Sequence, residues 1–378
     1  MKIRRISNER CLLADKTSTQ DLPWTNHDFV EFASGREALV ALIRSLNLKE
    51  GDIVLLPAFV PEGIISPCRI QKLDIRFYVL DRNLDPDWIF FDKLAHKSQP
   101  KLAILIHYFG VRRDANRFVT ICHSRGAMVL EDFAHMQILP ETKLGLNSDF
   151  ALHSLRKIIG VPDGAILQTN FLDLPSLKPK ISFDLRRITY ILMNMGHLSI
   201  TGVSRWSGSP SFWRNFWKIF GRFFSSYRFL MWYFKRPTPM SRLSKFLLSR
   251  FPWRAAVSKR IHYEQIYHNM LDRNIFTHLS QPEDGHCSMG YAVLVENRNS
   301  LYETLARQGI YGIWFEYKWD HFPEGSIQND ARWVMKNHFL FPTAYSLREE
   351  EITRVILLAN EWAESEMVID HKNYLSEH

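Results

Sequence analysis

Short apolar runs alternate with helical patterns along the first half of the chain. A short apolar run between turn residues predicts a buried strand, and apolar positions three and four apart predict a helix. Strands separated by helices indicate an α/β fold with a mostly parallel sheet covered on both faces. Ligands of such sheets bind beyond the carboxyl ends of the strands. The predicted strands are 53–56, 77–80, 102–106, 128–130, 150–152 and 165–167, and the predicted helices are 38–46 and 118–124.

The second half of the chain has a different pattern of predicted elements. Residues 178–236 are basic and rich in aromatic side chains, and they interrupt the alternation of strands and helices. A helical pattern then resumes and continues to 271. A small α+β domain is predicted from a strand at 291–295 and helices at 300–308 and 349–361. The chain divides into a large domain (1–177), an insertion (178–237) and a linking helix with the small domain (238–378).

The composition is that of a folded, soluble protein. Hydrophobic residues make up 46% and charged residues 23% of the 378 positions, and the net charge is +8. The positive charge favours anionic partners, such as phosphorylated ligands, membrane surfaces or nucleic acid. The four cysteines, at 11, 68, 122 and 287, are too far apart to indicate a zinc site or a disulfide framework. We expect no metal, a reducing cytoplasmic location, no signal peptide and no membrane-spanning helix.

A Ser-Gly pair precedes the first predicted helix. Ser34 and Gly35 stand where that helix would begin, and Arg36 follows them. The free N–H groups and the positive end of a helix favour a bound phosphate. Serine and glycine are also ordinary residues at a helix start, so the pair is a weak signal by itself.

Two carboxylates and a histidine follow the strand predicted at 128–130. The segment 131–135 reads EDFAH. An aspartate at this strand end, Asp132, can pair with a pyridinium nitrogen and keep it protonated. A solvated acidic loop is the more common interpretation when such residues are taken in isolation.

A Ser-x-x-Lys segment follows the strand predicted at 150–152. Ser154 can offer a hydroxyl to a phosphate, and Lys157 can offer an amine that forms a Schiff base. A lysine removed from water beside a cation such as Arg156 has a lowered pKa, as a nucleophile needs. A surface lysine is the competing interpretation, and it is favoured when the segment is taken alone.

In this order, the segments resemble the pyridoxal-phosphate (PLP) dependent sugar aminotransferases of the DegT/DnrJ/EryC1/StrS family. The resemblance covers residues 30–170 and is weaker at 239–271 and 291–362. After the Ser-Gly pair, its motifs are GDIVLLP (51–57), IHYFGVRRD (106–114), EDFAH (131–135) and the segment that contains Lys157.

The resemblance implies fold type I of the PLP-dependent transferases, with a large mostly parallel-sheet domain and a small C-terminal α+β domain. Lys157 would bind PLP as a Schiff base and then move a proton between substrate and cofactor. Asp132 would bind the ring nitrogen, and His135 would lie near the ring hydroxyl. The phosphate would be held by Ser154 and by the backbone of Ser34, Gly35 and Arg36.

Three positions depart from the family's pattern. Ser154 and Lys157 are closer together than in the common form, which a local deletion explains. The usual ring-stacking position is occupied by Pro61, so Phe59 is the nearest aromatic candidate. The segment that reaches the neighbouring subunit's cofactor in the family reads TPMS here, at 238–241.

The stretch 211–236 combines aromatic and basic residues. Its aromatic residues recur at nearly helical spacing, with arginines and lysines between them. Such a helix can lie in a membrane interface, which would make the protein peripheral at the inner membrane face. A helix buried in its own domain or in a dimer interface is the slightly favoured alternative. Base stacking ranks well below both, and no nucleic-acid partner is expected.

The resemblance implies transfer of an amino group from glutamate to a keto-sugar carried on a nucleotide, in surface polysaccharide biosynthesis. It also implies a homodimer with its active sites at the subunit interface. A first alternative is another PLP enzyme of this fold, such as a sugar dehydratase, but those dehydratases lack the lysine that is present here as Lys157. A second alternative is a degenerate member that binds a partner or a membrane and has lost catalysis.

Overall fold

The computed structural model describes most of the chain. The basic aromatic stretch 211–236 lies outside the described residues, as does nearly all of the insertion predicted at 178–237. The described residues are 6–7, 22–24, 28–142, 144–170, 179, 191–192, 194–195, 237–316 and 329–376.

Strands and helices alternate through this part of the chain. Among the described residues, no helix is both long enough and apolar enough to cross a membrane. The strands are β1 (Ile6–Ser7), β2 (Asp28–Phe32), β3 (Ile53–Pro57), β4 (Asp74–Tyr78), β5 (Leu102–Ile106), β6 (Met128–Asp132), β7 (Met136–Ile138), β8 (Phe150–His153), β9 (Ala165–Thr169), β10 (Thr277–His278), β11 (His286–Ser288), β12 (Tyr291–Leu294), β13 (Ile310–Tyr311) and β14 (His338–Phe341). The helices are α1 (Gly35–Ser45), α2 (Glu62–Ile70), α3 (Trp88–Ser98), α4 (Ala115–His123), α5 (Leu155–Ile158), α6 (Arg242–Leu248), α7 (Trp253–Met270), α8 (Arg298–Arg307), α9 (Asn329–Asn337) and α10 (Glu349–Ser376).

A seven-stranded sheet forms the centre of the large domain, in the order β2-β9-β8-β6-β5-β3-β4. Neighbouring strands from β8 to β4 pair in parallel, and β9 runs antiparallel to both β8 and β2. Every residue of β5 is buried. Since successive side chains of a strand point to opposite faces, the sheet is covered on both sides. The prediction of an α/β fold with a mostly parallel sheet is confirmed.

Most predicted elements are present with shifted ends. The strand predicted at 102–106 coincides with β5, whereas the strand predicted at 77–80 begins earlier, at Asp74. Polar Asp74 and Arg76 make β4 a half-buried strand, which does not produce a continuous apolar run. Helix α2 escapes prediction because Pro67 lies inside it, and a proline ordinarily interrupts a helical pattern.

A second, smaller sheet forms in the C-terminal part. β10, β12 and β14 pair antiparallel, and α7, α8 and α10 share a buried core with them. β12 and α8 confirm the strand and the helix predicted at 291–295 and 300–308. Strand β11 instead pairs with β7 of the large domain, with Cys287 opposite Gln137. Backbone hydrogen bonds therefore join the two parts of the molecule close to the end of β6.

Candidate active site

The carboxyl edge of the central sheet brings the predicted site residues together. Asp132 ends β6, and Ser154 and Lys157 follow the end of the neighbouring strand β8. Ser34 follows β2, which runs in the same direction as β8 on the far side of β9. Since the carboxyl ends of these strands share one edge, the residues lie where α/β sheets bind ligands.

Asp132 is a buried carboxylic acid at the end of β6. The residue is 5% exposed, and Oδ1 accepts a hydrogen bond of 2.8 Å from the backbone N–H of Ala134. Burial raises the pKa of Asp132, while the positive charge of Lys157 and the N–H of Ala134 act to lower it. The charges of Asp132 and Lys157 therefore interact at this edge of the sheet.

Lys157 lies on α5, a single helical turn. Its side chain is partly buried, and its amine makes no hydrogen bond or ion pair within the described part of the chain. Burial lowers the pKa of Lys157, the carboxylate of Asp132 acts to raise it, and the charge of Arg156 lowers it further. The net direction is downward. The amine therefore loses its proton more readily than an ordinary lysine, as a nucleophile requires.

A backbone hydrogen bond fixes the position of the ring proton of His135. The residue is 4% exposed, and its Nδ1 accepts from the N–H of Phe109 at 3.3 Å. A neutral imidazole that accepts at Nδ1 carries its proton on Nε2, which is then a donor. Burial lowers the pKa of His135 well below its usual range, and the charges of Lys157 and His338 lower it further. The ring is therefore neutral, with a donor at Nε2.

Phe109 presents its N–H from a left-handed backbone, with φ at 56°. Gly110 follows with φ at 83°, and a Cβ atom there would lie 2.3 Å from the Cβ of Ser288. Only glycine fits so close an approach at this backbone conformation. The ring of Phe109 stacks on that of His338, with 4.9 Å between the ring centroids. The turn that orients His135 is thus pressed against β11.

The aromatic residue predicted to cover the cofactor ring lies inside a cluster of rings. Phe59 is 0% exposed, and its ring centroid is 6.3 Å from that of Phe109 and 5.7 Å from that of His338. Phe59 therefore presents no open face, whereas the ring of Phe315 stacks on His135 with centroids 5.0 Å apart. A stacking role for Phe59 stays a prediction. Phe315 was not indicated by any sequence motif.

The side chains of Ser34 and Glu37 bond to each other at the N-terminus of α1. The Ser34 hydroxyl donates to one carboxylate oxygen of Glu37 at 2.9 Å and accepts from the Glu37 N–H at 3.3 Å. The other oxygen of Glu37 accepts from the Thr238 hydroxyl at 2.8 Å. The Ser34 side chain is thus engaged in the helix end, and a carboxylate stands beside the predicted phosphate site.

Gly35 and Arg36 meet different neighbours in the first turn of α1. A Cβ atom on Gly35 would lie 3.5 Å from the side chain of Leu152, so α1 packs directly on β8. The guanidinium of Arg36 reaches α2, where it would lie 3.2 Å from a Cβ atom on Gly63. The cation of Arg36 therefore lies beside the first turn of α2.

Ser154 lines a small cavity beside α5. It occupies the N-cap position of α5, but its hydroxyl makes no capping hydrogen bond. The cavity has a volume of about 10 Å³, and Gln137, His153 and Trp253 also line it. The amide nitrogen of Gln137 and Nε2 of His153 are buried and unpaired within the described residues. The cavity thus has polar groups in a largely apolar lining, and it matches the size of one water molecule.

A buried His-Glu pair adjoins the site and was not among the predicted site residues. Nε2 of His107 lies 2.8 Å from a carboxylate oxygen of Glu131, and both side chains are 2% exposed. Nδ1 of His107 accepts from the Arg113 N–H at 3.1 Å, so the ring proton is on Nε2 and is donated to Glu131. Both residues belong to motifs quoted above, so the sequence marks them, but their contact depends on the pairing of β5 with β6.

Comparisons with known proteins give one short sequence match. No protein-family model matches the chain. Protein MosB from Rhizobium meliloti is 29% identical over 150 residues, which are 37% of this chain and 28% of MosB. The chain thus matches less than a third of the length of that relative.

Solved structures match nearly the whole chain. Spr1654 from Streptococcus pneumoniae, in its PMP form, has a TM-score of 0.65 at 15% identity, covering 92% of this chain and 89% of its own. A DegT DnrJ EryC1 StrS aminotransferase from Brucella abortus has a TM-score of 0.62 at 16% identity, covering 90% and 87%. The chain has the fold of these aminotransferases. Within the aminotransferase fold, Asp132 and Lys157 lie on neighbouring strand ends of the central sheet.

Proposed function

We propose that this protein is a PLP-dependent aminotransferase that acts on a sugar substrate. The pair formed by Asp132 and Lys157, whose charges interact at the carboxyl edge of the sheet, carries the proposal. A buried carboxylate and a lysine of lowered pKa are the two groups that bind opposite ends of a pyridoxal ring. The aminotransferase fold and the order of the sequence motifs support the same function.

The residues present fit PLP. Asp132 offers a carboxylate, held at one oxygen by the Ala134 N–H, to a protonated ring nitrogen. Lys157 offers an amine that has no other hydrogen-bond partner in the described ranges, and the Nε2–H of His135 offers a donor for a ring oxygen. When bound, PLP would act as an electron sink for the carbon that bears the amino group.

Lys157 is the residue that moves protons in this proposal. Because burial lowers the pKa of its amine, Nζ would be able to accept a proton from the substrate carbon that bears the amino group and deliver it to the cofactor. Asp132 holds the proton on the ring nitrogen throughout. The rings of Phe109 and Phe315 lie parallel to His135 and keep water from that side of the site.

The phosphate group is proposed to lie between α1 and α5. The first turn of α1 offers backbone N–H groups, and Arg36 adds a cation. Ser154 offers a hydroxyl that is not used for capping, whereas the hydroxyl of Ser34 is already bonded to Glu37. In this proposal, Ser34 therefore contributes its backbone and not its side chain.

The finer parts of the proposal concern the substrates and the assembly. Glutamate as amino donor, a nucleotide-linked keto-sugar as acceptor, a role in surface polysaccharide biosynthesis and a cytoplasmic homodimer are supported by the resemblance of the motifs. The segment 238–241 departs from the family's pattern, and Thr238 bonds to Glu37 of its own chain. We therefore propose that each subunit completes this helix end itself, even within a dimer.

Absorbance spectroscopy of the purified protein tests the proposal. PLP should bind covalently, and glutamate should convert the bound cofactor to its amine form, with a matching loss of the absorbance of the lysine adduct. Absence of PLP binding would contradict the proposal. Binding without conversion by any amino donor would instead favour the degenerate alternative, and elimination of water from the sugar would favour the dehydratase alternative.

A further inference from the structure

The turn that carries Lys157 is too short to hold itself in place. Helix α5 has 4 residues, and isolated helices of that length are unstable in water. Its own bonds run from Lys157 N–H to Ser154 O at 3.1 Å and from Ile159 N–H to Leu155 O at 2.9 Å. The chain is already extended at Ile159, so the carbonyl of Ile158 has no helical partner. The turn therefore needs an anchor from elsewhere.

Arg260, on α7, supplies that anchor. The residue is 4% exposed, and its guanidinium donates to the Ile158 carbonyl at 3.5 Å. The same guanidinium donates to the Ser288 carbonyl at 3.3 Å and to the Thr343 hydroxyl at 3.5 Å. The planar fork of an arginine can reach acceptors in several directions, whereas the single ammonium of a lysine cannot serve all three. One side chain thus connects the Lys157 turn with β11 and with the chain after β14.

Glu264 fixes the β11 side of this connection. It lies one helical turn after Arg260 and is 3% exposed. One of its oxygens accepts from the Ser288 N–H at 2.7 Å and lies 2.5 Å from the Ser288 hydroxyl. When Glu264 is ionised, its charge also compensates that of the buried guanidinium. Met289, which follows Ser288, donates its N–H to the carbonyl of His135 at 3.0 Å. The end of β11 is therefore bonded both to α7 and to the segment that carries His135.

We propose that Arg260 is a positioning residue for Lys157, which holds the Lys157 turn in register with β11 through the Ile158 carbonyl. Its role for catalysis rests on the proposed function, in which Lys157 binds the cofactor. The anchoring itself does not require the cofactor. It can therefore be measured on the protein alone.

The test compares Arg260→Lys and Arg260→Met with Arg113→Lys in the full-length protein without added PLP. Arg113 is a matched control, because it is 7% exposed and its guanidinium pairs with Asp85 at 3.2 Å, away from α5. Hydrogen exchange at the amides of Lys157 and Ile159 should become at least roughly tenfold faster in Arg260→Met, because the turn opens locally. Arg260→Lys should give a smaller change in the same direction, and Arg113→Lys none at these amides.

A second measurement follows the Lys157 amine itself. Labelling by an amine reagent across a pH series, mapped by mass spectrometry, should shift to higher pH in both Arg260 variants. The reason is that a released turn brings the amine into water, where its pKa rises toward the ordinary value. A general loss of stability would not shift this profile, so the profile separates positioning from a purely structural role.

Two outcomes would overturn the positioning role. One is an unchanged exchange rate and labelling profile in Arg260→Lys, which serves as the test if Arg260→Met does not fold. The other is an equal change in Arg113→Lys. Neither measurement uses PLP, so a protein that fails to bind PLP would refute the proposed function and leave the result on Arg260 standing.

Discussion

Asp132 and Lys157 stabilise each other's charged forms at the carboxyl edge of the sheet. Burial raises the pKa of Asp132 and lowers that of Lys157, and in each case the partner's charge acts in the opposite direction. Removing either partner would leave the other ionisable group buried without compensation, which is costly. Substitutions at these two positions are therefore expected to affect cofactor chemistry and the protonation of the remaining partner together.

Lys157→Ala should abolish covalent attachment of PLP and reduce turnover by at least roughly 10²–10⁴-fold, because no proton-transferring amine remains. Borohydride reduction followed by peptide mapping should find the pyridoxyl group on Lys157 in the wild-type protein. Lys72→Ala is the control, since Lys72 is exposed and pairs with Glu50 at 2.9 Å. A label on a different lysine would refute the assignment.

Asp132→Asn should keep PLP bound but lower kcat by roughly 10²–10³-fold, as removal of one preorganised charge does. An uncharged amide cannot hold the proton on the ring nitrogen, so the substrate carbanion is stabilised less. Steady-state kinetics, with PLP occupancy measured by absorbance, checks this. A near-normal rate at full occupancy would mean that Asp132 is not the partner of the ring nitrogen.

Glu264→Gln should change how stability depends on pH. Burial raises the pKa of Glu264 from its ordinary value of 4.5 to about 7, against the hydrogen bonds of Ser288 and the charge of Arg260. Between these values the folded protein binds the proton and the unfolded chain does not. The free energy of unfolding therefore falls as pH rises through this window, by about 3 kcal/mol in total.

Denaturant titrations of the wild type and of Glu264→Gln from pH 4.5 to pH 7 measure this slope. Buried neutral histidines make the free energy of unfolding rise with pH over the same range, because burial lowers their pKa; the pKa of His338, for example, is lowered to about 4. They are common to both proteins and cancel in the difference. A difference in unfolding free energy that stays constant with pH would contradict the raised pKa of Glu264.

Gly110→Ala should destabilise the protein more than Gly51→Ala. Both glycines have a left-handed backbone, with φ at 83° and 85°, so the conformational strain is matched. An added methyl group at Gly51 meets nothing within 4 Å, whereas at Gly110 it would lie 2.3 Å from Ser288. The overpacking should cost an additional roughly 1–3 kcal/mol in the free energy of unfolding. If the two substitutions lowered the free energy of unfolding equally, β11 would be able to move away from the added methyl group at no energetic cost.

The basic aromatic stretch 211–236 is tested by vesicle sedimentation. If it lies on a membrane, the protein should sediment with anionic vesicles, less so as salt screens the charges over about 8–10 Å. Replacing Arg214, Lys218 and Arg222 with glutamate should then release it without loss of PLP binding. If the stretch is core or dimer interface, vesicles will not bind at low salt, and Phe216→Ala should cost roughly 3–5 kcal/mol of stability.

The strands that build the candidate site were predictable because their signal is local. β5 is a continuous apolar run, as are the first three residues of β8, and strands buried on both faces typically have such runs. Asp132, Ser154 and Lys157 could be assigned because each follows such a strand within a few residues. The parallel topology then places them at one edge without further information.

The remaining parts of the site depend on contacts between distant segments. Arg260 and Ile158 are 102 positions apart, and nothing in either local sequence indicates their contact. His135 accepts a hydrogen bond from Phe109, which has a left-handed backbone conformation. Nothing in the local sequence predicts that conformation. The bond between Ser34 and Glu37 is local and could have been anticipated, since Ser-x-x-Glu is a sequence signature of a helix start.

The pairing of β7 with β11 also limits how the chain can be divided. A fragment that ends before residue 237 would lack β11, so the backbone groups of Met136–Ile138 that now pair with it would lie at an open strand edge. The fragment would also lack Trp253, whose indole N–H donates to the carbonyl of Ile138 at 2.8 Å in the full chain. Such a fragment should self-associate when expressed alone, so complementation by separately produced halves would require that both be present during folding.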